Sequence, residues 1–510
     1  MTIDPQQDSA LIAARSLDHL EKVVAQDTAS DERSATIPST PGQADLARWL
    51  GEFFASHGGR VEHDAYANII ATFDGRGVGA DAAPLALLVH ADTARGTQPV
   101  PSLELLTNWD GTAIPYPDNS DIQVSVANYP DLASFLGQDI VYGPGRAPFG
   151  LDDKLGMAHL MTLAWLLAQN PEVPHPPLLL IARPDEEIGR MEALTEIADM
   201  LADRGVRTGY TIDGIEPYTI NVENFNAMRA TVRFAGAALM IDEPVFELFI
   251  GGVNTHGATA KAEGHRPAPR LTAELVKAVP GMCVAAFESN EERDCDARVW
   301  VYGAEEAAVR GGLEQVVGPH VPLGASYQIA AGELPGHATT AAAHVVDWVA
   351  KFLGSDPGFT LAAEDSEGFD GYSQPYRALP DGHDMVLDVR LRDFDPAHLE
   401  RRADHVRSLA LERPCEVAHQ YVNMGPRLTD RPELISWAQR AAASAGVEGP
   451  VLPIRGGTGV DPFLDRGTAI ANLGTGYFAP ESEKEFTSRQ LMDGHARWLF
   501  HLVQVAAQPG

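Results

Sequence analysis

Residues 178–191 read LLLIARPDEEIGRM: an unbroken apolar run that ends in three consecutive acids, Asp185, Glu186 and Glu187, with Gly189 just beyond. A run of this length, bounded by prolines, suits a strand buried on both faces. Carboxylates at the end of a buried strand are costly unless something supplies opposite charge or hydrogen bonds. What neutralises them decides both the fold and the chemistry.

Working outward, similar short apolar runs occur at NIIATF (68–73), LALLVHAD (85–92) and GYTIDG (209–214). Helical patterns lie between them, notably LGMAHLMTLAWLLAQN (155–170). STPGQADLARWLGEFFASHGG reads as another helix, with Thr40 as cap, Pro41 in the first turn and Leu46, Trp49, Leu50, Phe53 and Phe54 on one face. Strands alternating with helices give an α/β domain with a mostly parallel, mixed sheet and flanking helices. After residue 226 the texture changes to strands of an α+β layer: MRATVRFAG, VFELFIGG, ARVWVYG and ASYQIAAG. The first texture returns near 425, with PELISWAQRAAASAG and AIANLGTG. The expected organisation is an α/β domain over 1–226 and 425–510, interrupted by an inserted α+β domain over 227–424.

The insertion shows a possible internal repeat. FELFIGGVNTHGATA leads into APRLTAELVKAV, and SYQIAAGELPGHATTA leads into AHVVDWVAKFL, with His256 and His337 at matching places.

With 38 basic and 71 acidic residues the formal charge is -33, which argues against nucleic-acid and anionic-membrane partners. Three cysteines outside any CxxC spacing point to neither a disulfide framework nor a cysteine metal site. The N-terminus lacks a signal-peptide pattern and no apolar run approaches the ~20 residues of a membrane span, so a cytoplasmic protein is expected.

Strand-end acids recur along the first domain: His90 and Asp92 in HADT, Asp152 and Asp153 in GLDDKLG, Glu186 and Glu187 in PDEEIG, and Asp213 in YTIDG. Each has a plain structural reading: a core histidine, helix-start acids, a solvated turn. Their recurrence at strand ends, where open α/β sheets bind ligands, favours a shared site instead. One imidazole among carboxylates suits zinc, manganese or cobalt. His90 and Asp92 share a strand face, so Asp92 can orient a ligating His90. Of Glu186 and Glu187, one can hold a metal while the other handles protons. Asp185 either supports the loop or faces outward.

In order and spacing, HADT, GLDDKLG, PDEEIG and YTIDG followed by ENFNA resemble the dinuclear zinc exopeptidases of the peptidase T group. IPSTPGQ, HGATAK (256–261), RDFD (392–395), PIRGGT (453–458) and Glu485-Phe486 extend the resemblance over nearly the whole chain. The resemblance implies two zinc ions per chain, with manganese or cobalt as alternatives. It places His90 and Asp213 on one metal, Asp152 bridging, Glu187 on the second, Glu186 as general base and Asp92 orienting His90. It implies His256 as the histidine that stabilises the oxyanion, with His337 as the alternative, and Arg455 as the grip on a substrate carboxylate. The implied activity is hydrolysis of short peptides, most like a tripeptide aminopeptidase. Related activities are cleavage of N-acyl amino acids, dipeptides or C-terminal residues. The partner is a short peptide, and the protein is a homodimer, or a monomer if the inserted lid is duplicated.

One departure stands out. The family places a second-metal histidine just before the final Glu-Phe, and here the corresponding residue reads as Lys484, in GYFAPESEKEFTS. An ammonium cannot ligate a cation. Either Glu481 or Glu483 replaces the histidine, or the second site is lost and the protein binds peptides without cleaving them.

Overall fold

The computed structural model describes residues 3–253, 266–289, 296–355 and 371–508. The first domain is built on a seven-stranded sheet. Its order is Arg60–His63, Ile69–Phe73, Leu178–Arg183, Leu85–His90, Thr208–Ile212, Ala469–Leu473 and Ile220–Asn221. The four strands from Leu178–Arg183 to Ala469–Leu473 run parallel, and the outer pairings are antiparallel. Both faces are covered, which is why Leu85–His90 and Leu178–Arg183 are buried at every position. His90 pairs in register with Arg183, so the carboxyl ends of the parallel strands come out level at one edge. The acids that follow those strands meet there.

Helices Ser9–Val24, Leu151–Gln169, Pro432–Ala445 and Arg489–Ala506 pack together against the sheet. Pro41–Ser56 forms as the sequence predicts, although Thr40 makes no side-chain cap. Buried between Leu151–Gln169 and Arg489–Ala506, the rings of His159 and His495 stack 3.9 Å apart. Burial lowers the His159 pKa to about 3 and holds His495 well below its usual value. Above the unfolded value of about 6.5 both states are neutral and the pair is indifferent to pH. As pH falls below 6.5 the unfolded chain takes up protons that the native pair refuses, and stability drops by up to ~1.4 kcal/mol per unit per histidine. Urea midpoints of the wild type should therefore fall more steeply between pH 6.5 and 5 than those of His159→Leu. That difference isolates the pair from the site carboxylates, whose raised pKa values act with the opposite sign.

Between the strands Leu85–His90 and Ile140–Tyr142 the chain makes an excursion that the sequence patterns do not announce. It forms a three-stranded sheet of Glu104–Leu106, Ile140–Tyr142 and Phe486–Ser488. The excursion has its own aromatic core around Trp109, Tyr116, Tyr129, Tyr142 and Phe486.

The inserted domain carries an eight-stranded antiparallel sheet that resolves into two βαββαβ units, one nested in the other. The inner unit runs through Phe246–Gly251, helix Ala268–Ala278, Cys283–Glu288, Ala297–Tyr302, helix Glu306–Val316 and Ser326–Ala331. The outer unit begins at Asn226–Phe234 and resumes with helix Ala341–Leu353. It continues through Tyr372–Asp381, Asp384–Asp393, helix Pro396–Ala410 and Cys415–Tyr421. Each unit has the sheet order fourth, first, third, second, and the two join through Cys283–Glu288 beside Tyr372–Asp381. The two units share one topology, in a register that differs from the sequence-based repeat. Ser326–Ala331 is the last strand of the inner unit, so the counterpart of Phe246–Gly251 is Asn226–Phe234. Helices Ala268–Ala278 and Ala341–Leu353 do correspond. Where the inner unit leaves and returns, Ala238 and Thr339 form a bridge. His337 is exposed beside this seam. His256 lies outside the described residues.

The two crossings between domains, at ENFNA and at 421–425, are braced by asparagines. The Asn224 amide N donates to Asn423 Oδ1, the Met424 N to Asn224 Oδ1, and the Asn423 N to Asn226 Oδ1.

Candidate metal centre

The site grows from the ends of the parallel strands. His90 closes Leu85–His90, and its Nε2 lies 2.8 Å from Asp152 Oδ1 and 4.0 Å from Asp213 Oδ2. Donor atoms of His90, Asp152 and Glu187 lie within 4.8 Å of one another, as do those of His90, Asp153 and Asp213. Asp153 also accepts the His90 peptide N–H, so it braces the strand end as well as facing the cluster.

Asp92 does more than face His90. Its Oδ1 lies 3.4 Å from His90 Nδ1, while Oδ1 and Oδ2 accept the peptide N–H groups of Glu186 and Glu187. One buried carboxylate thus fixes the imidazole and the DEE turn together. Asp185 does not face outward: it is fully buried and accepts from Ser39 N and Gln43 Nε2. The IPSTPGQ segment is therefore a clamp on the acidic turn, which explains its place among the motifs. Glu186 Oε1 pairs with Arg183 at 3.1 Å, and both line a cleft with His90, Asp213, Thr458 and Gly459.

Sequence reasoning missed three contributors, the first of them Arg183. Tyr477 donates its hydroxyl to Asp152 Oδ2 at 2.9 Å. Glu485 accepts the peptide N–H groups of Phe149, Gly150 and Leu151 at the start of the helix bearing Asp152. The GLDDKLG motif contains the positions that need this support, but nothing local marks residues some 330 positions away as the providers.

Arg455 is half-buried, with its guanidinium 5.6 Å over the Phe225 ring, at the junction between the domains. It stands four residues ahead of Gly459, which lines the cleft.

Lys484 is directed away from the cluster. Its ammonium is turned to the inserted domain, donating to the carbonyls of Val253 and Leu323 at 3.0 Å each and lying 5.8 Å over the Tyr129 ring. Lys484 thus offers the cluster no ligand, as its chemistry predicts. In the same loop Glu481 is buried and Glu483 half-buried. We expect Lys484→Met to lower stability by about 1–3 kcal/mol, because the buried Val253 carbonyl loses this donor and Leu323 keeps only the Tyr129 hydroxyl. Urea unfolding checks this, and metal content should stay at the wild-type level.

The electrostatics suit cations. Burial, with the charges of neighbouring acids added, pushes Glu187 and Asp153 well above the usual carboxylate range and Asp213 up to about 8. Burial works against a charged His90, but hydrogen bonds to Asp152 and Asp92 outweigh it and carry the imidazole well above its ordinary value. Glu187 Oε1 is buried with no hydrogen-bond partner. A buried, orphaned carboxylate oxygen among repelling acids is what a cation ligand looks like without its cation. The residues present fit a metal centre.

No protein-family model matches the chain. Among curated proteins, Peptidase T of Geobacillus sp. (strain WCH70) is 25% identical over 474 residues, covering 90% of each chain. Peptidase T of Geobacillus thermodenitrificans (strain NG80-2) is 24% identical over 505 residues, 96% of this chain and 98% of that one. Peptidase T of Exiguobacterium sp. is 34% identical over 227 residues, 44% of this chain and 53% of that one. Among solved structures, a tripeptidase from Staphylococcus aureus superposes with a TM-score of 0.56 at 14% identity, covering 97% of this chain and 98% of that one. Aminopeptidase PepT from Bacillus cereus gives 0.54 at 14% identity, covering 97% and 99%. Length, motif order and fold agree: over nearly its whole length the chain is similar to the proteins named Peptidase T.

Proposed function

We propose that the protein is a cytoplasmic exopeptidase that hydrolyses short peptides from the amino end, most like a tripeptide aminopeptidase. The observation that carries this reading is the pairing of Glu186 with Glu187. Both are pinned through their peptide groups to the carboxylate that orients His90. A carboxylate that faces a metal cluster without being needed as a ligand is a proton carrier.

In this reading His90, Asp152 and Asp213 hold one cation, and Asp152 and Glu187 a second, with zinc the expected metal and manganese or cobalt alternatives. Bound there, the cations polarise a carbonyl and lower the pKa of water. Glu186 takes the proton of the attacking water and passes it to the leaving amine. With Oε1 held by Arg183, Oε2 is the oxygen that carries it. Asp92 keeps the His90 ring in the orientation that presents Nε2 to the cluster. Arg455 grips the substrate carboxylate, a task for which a guanidinium fork is suited. His256, or His337, donates to the oxyanion. The doubled lid supports a chain that supplies this group itself, and hence a monomer rather than a homodimer.

The test is a panel of tripeptides, dipeptides and N-acyl amino acids offered to metal-loaded protein. Turnover of tripeptides with a free amino terminus, lost when that terminus is acetylated, is the expected result. Preference for the N-acyl amino acids would replace the aminopeptidase reading with a deacylase one, and no turnover of any member would end both.

A further inference from the structure

We propose that Tyr477 is a positioning residue of the metal centre: its hydroxyl sets the plane of the Asp152 carboxylate and holds it in register with the Asp213 turn. The inference rests on the metallopeptidase reading, in which Asp152 and Asp213 are metal ligands, and concerns how one of them is aimed.

Tyr477 is tied to both acidic segments, by different atoms. Its hydroxyl donates to Asp152 Oδ2 at 2.9 Å, and its peptide N–H donates at 3.1 Å to the carbonyl of Ile215, two residues beyond Asp213. Earlier in the same loop, Thr475 donates through its peptide N–H and through its hydroxyl to the Gly214 carbonyl, at 2.9 Å each. The loop therefore lies along the Asp213 turn, and the tyrosine ring reaches from it to Asp152. Tyr477 is buried throughout, at 3% exposure.

Other bonds fix the loop independently of that hydroxyl. Phe478 and Phe486 exchange peptide hydrogen bonds of 2.8 and 3.4 Å, and the Thr487 hydroxyl donates to the Gly476 carbonyl at 2.6 Å. Glu485 Oε2 takes the peptide N–H groups of Phe149 and Gly150 at 3.0 Å each, which ties the loop to the start of the helix that carries Asp152. Loss of the phenol oxygen alone leaves all of these in place.

What the hydroxyl adds is direction. The terminal torsion of an aspartate is soft, with broad preferences in place of sharp wells. Bonds to the backbone around Asp152 do not set that torsion, and a donor on the carboxylate does. The two oxygens turn together, so a hydroxyl on Oδ2 also aims Oδ1, the oxygen 2.8 Å from His90 Nε2. Other buried tyrosine hydroxyls of the chain donate to peptide carbonyls: Tyr116 to Lys484, Tyr129 to Leu323 and Tyr210 to Leu434. A carbonyl of that kind is enough to satisfy a buried hydroxyl. Tyr477 instead meets a side chain of the cluster in which donor atoms of His90, Asp152 and Glu187 lie within 4.8 Å of one another. Groups that orient a ligand without touching the metal are worth about 10–100-fold in metal affinity.

Metal binding by purified, metal-stripped protein tests this without turnover. Zn2+ affinity is read by competition with a chromophoric chelator, and bound Co2+ by its visible absorption, which reports the arrangement of its ligands. Tyr477→Phe should bind Zn2+ about 10–100-fold more weakly than wild type and should show an altered Co2+ spectrum. Its melting temperature in the metal-stripped form should stay close to that of metal-stripped wild type. In an Asp152→Ala background the same substitution should lose no further affinity, since the group it acts through is gone. Wild-type affinity and spectrum in Tyr477→Phe would overturn the proposal. So would an equal loss in the Asp152→Ala background, or a melting temperature that collapses along with the affinity, because the hydroxyl would then serve the fold. The expected metal results with no peptide turnover by wild type would leave this inference standing and remove the functional one.

Discussion

Metal-loaded Glu186→Gln is expected to lose roughly a hundredfold to ten-thousandfold in kcat, the usual contribution of a positioned proton carrier, while keeping the metal content of the wild type. The separation of the two readouts follows from how Glu186 is held. Its position is set by its peptide N–H on Asp92 Oδ1, a bond the substitution leaves alone. The neighbouring Glu187 is fixed the same way, on Oδ2 of the same carboxylate. A glutamine oxygen still accepts from Arg183, so the side chain stays in place and only its proton chemistry is lost. Steady-state kinetics with elemental analysis decide the matter. A rise in KM with kcat unchanged would make Glu186 a binding residue, and loss of a metal equivalent would make it a ligand.

Gly156→Ala is expected to damage the centre from outside it. A Cβ at this position would meet the Ile212 carbonyl oxygen at 2.1 Å and Asp153 Oδ1 at 2.2 Å. The carbonyl is backbone in the core strand Thr208–Ile212, so the helix must give way. That helix start carries Asp152 and Asp153, and the residue after Ile212 is Asp213. One methyl group therefore pushes apart the two strand-end segments that jointly face His90. Overpacking of this kind costs about 1–3 kcal/mol or more. The accompanying displacement should weaken metal binding at the position shared by His90, Asp152 and Asp213. Thermal unfolding and metal titration of the variant should both move. A wild-type melting temperature with full metal content would show that the helix can slide without cost. The second glycine of GLDDKLG is thus explained by close packing rather than by a turn.

Much of this arrangement is legible in the sequence because the relevant signals are local. A buried parallel strand must be apolar throughout, and an acid or histidine at its carboxyl end breaks the run at a place where the fold makes ligand sites. His90, Glu187 and Asp213 announce themselves this way. What is not legible depends on distant contacts. A strand followed by a helix looks the same whether the strand opens a βαββαβ unit or closes the one before it. For that reason Ser326–Ala331 was matched to the wrong partner. In the final loop, counting back from Glu485-Phe486 selects Lys484 as the residue of interest. The backbone, however, turns through positive φ at both Ala479 and Glu481, and Lys484 is directed to the inserted domain. Asp185, Tyr477 and Glu485 act through bonds to segments far away in the chain, and residue type alone does not reveal them.

The asparagine-braced crossings have a mechanical consequence. Two connections between bodies, when far apart, lock them together, but two side by side act as one pivot. Here Asn224, Asn226 and Asn423 lash the crossings into a single strip, so rotation about that strip leaves its hydrogen bonds intact. The ammonium of Lys484 ties the domains at another place, on Val253 and Leu323, where the Tyr129 hydroxyl also donates to Leu323 and Gln123 N to Pro322. Bonds to a charged group are worth about 1.5–3 kcal/mol each, which is within reach of the binding energy of a small ligand. The residue that departs from the family pattern is, in these terms, one tie across the joint.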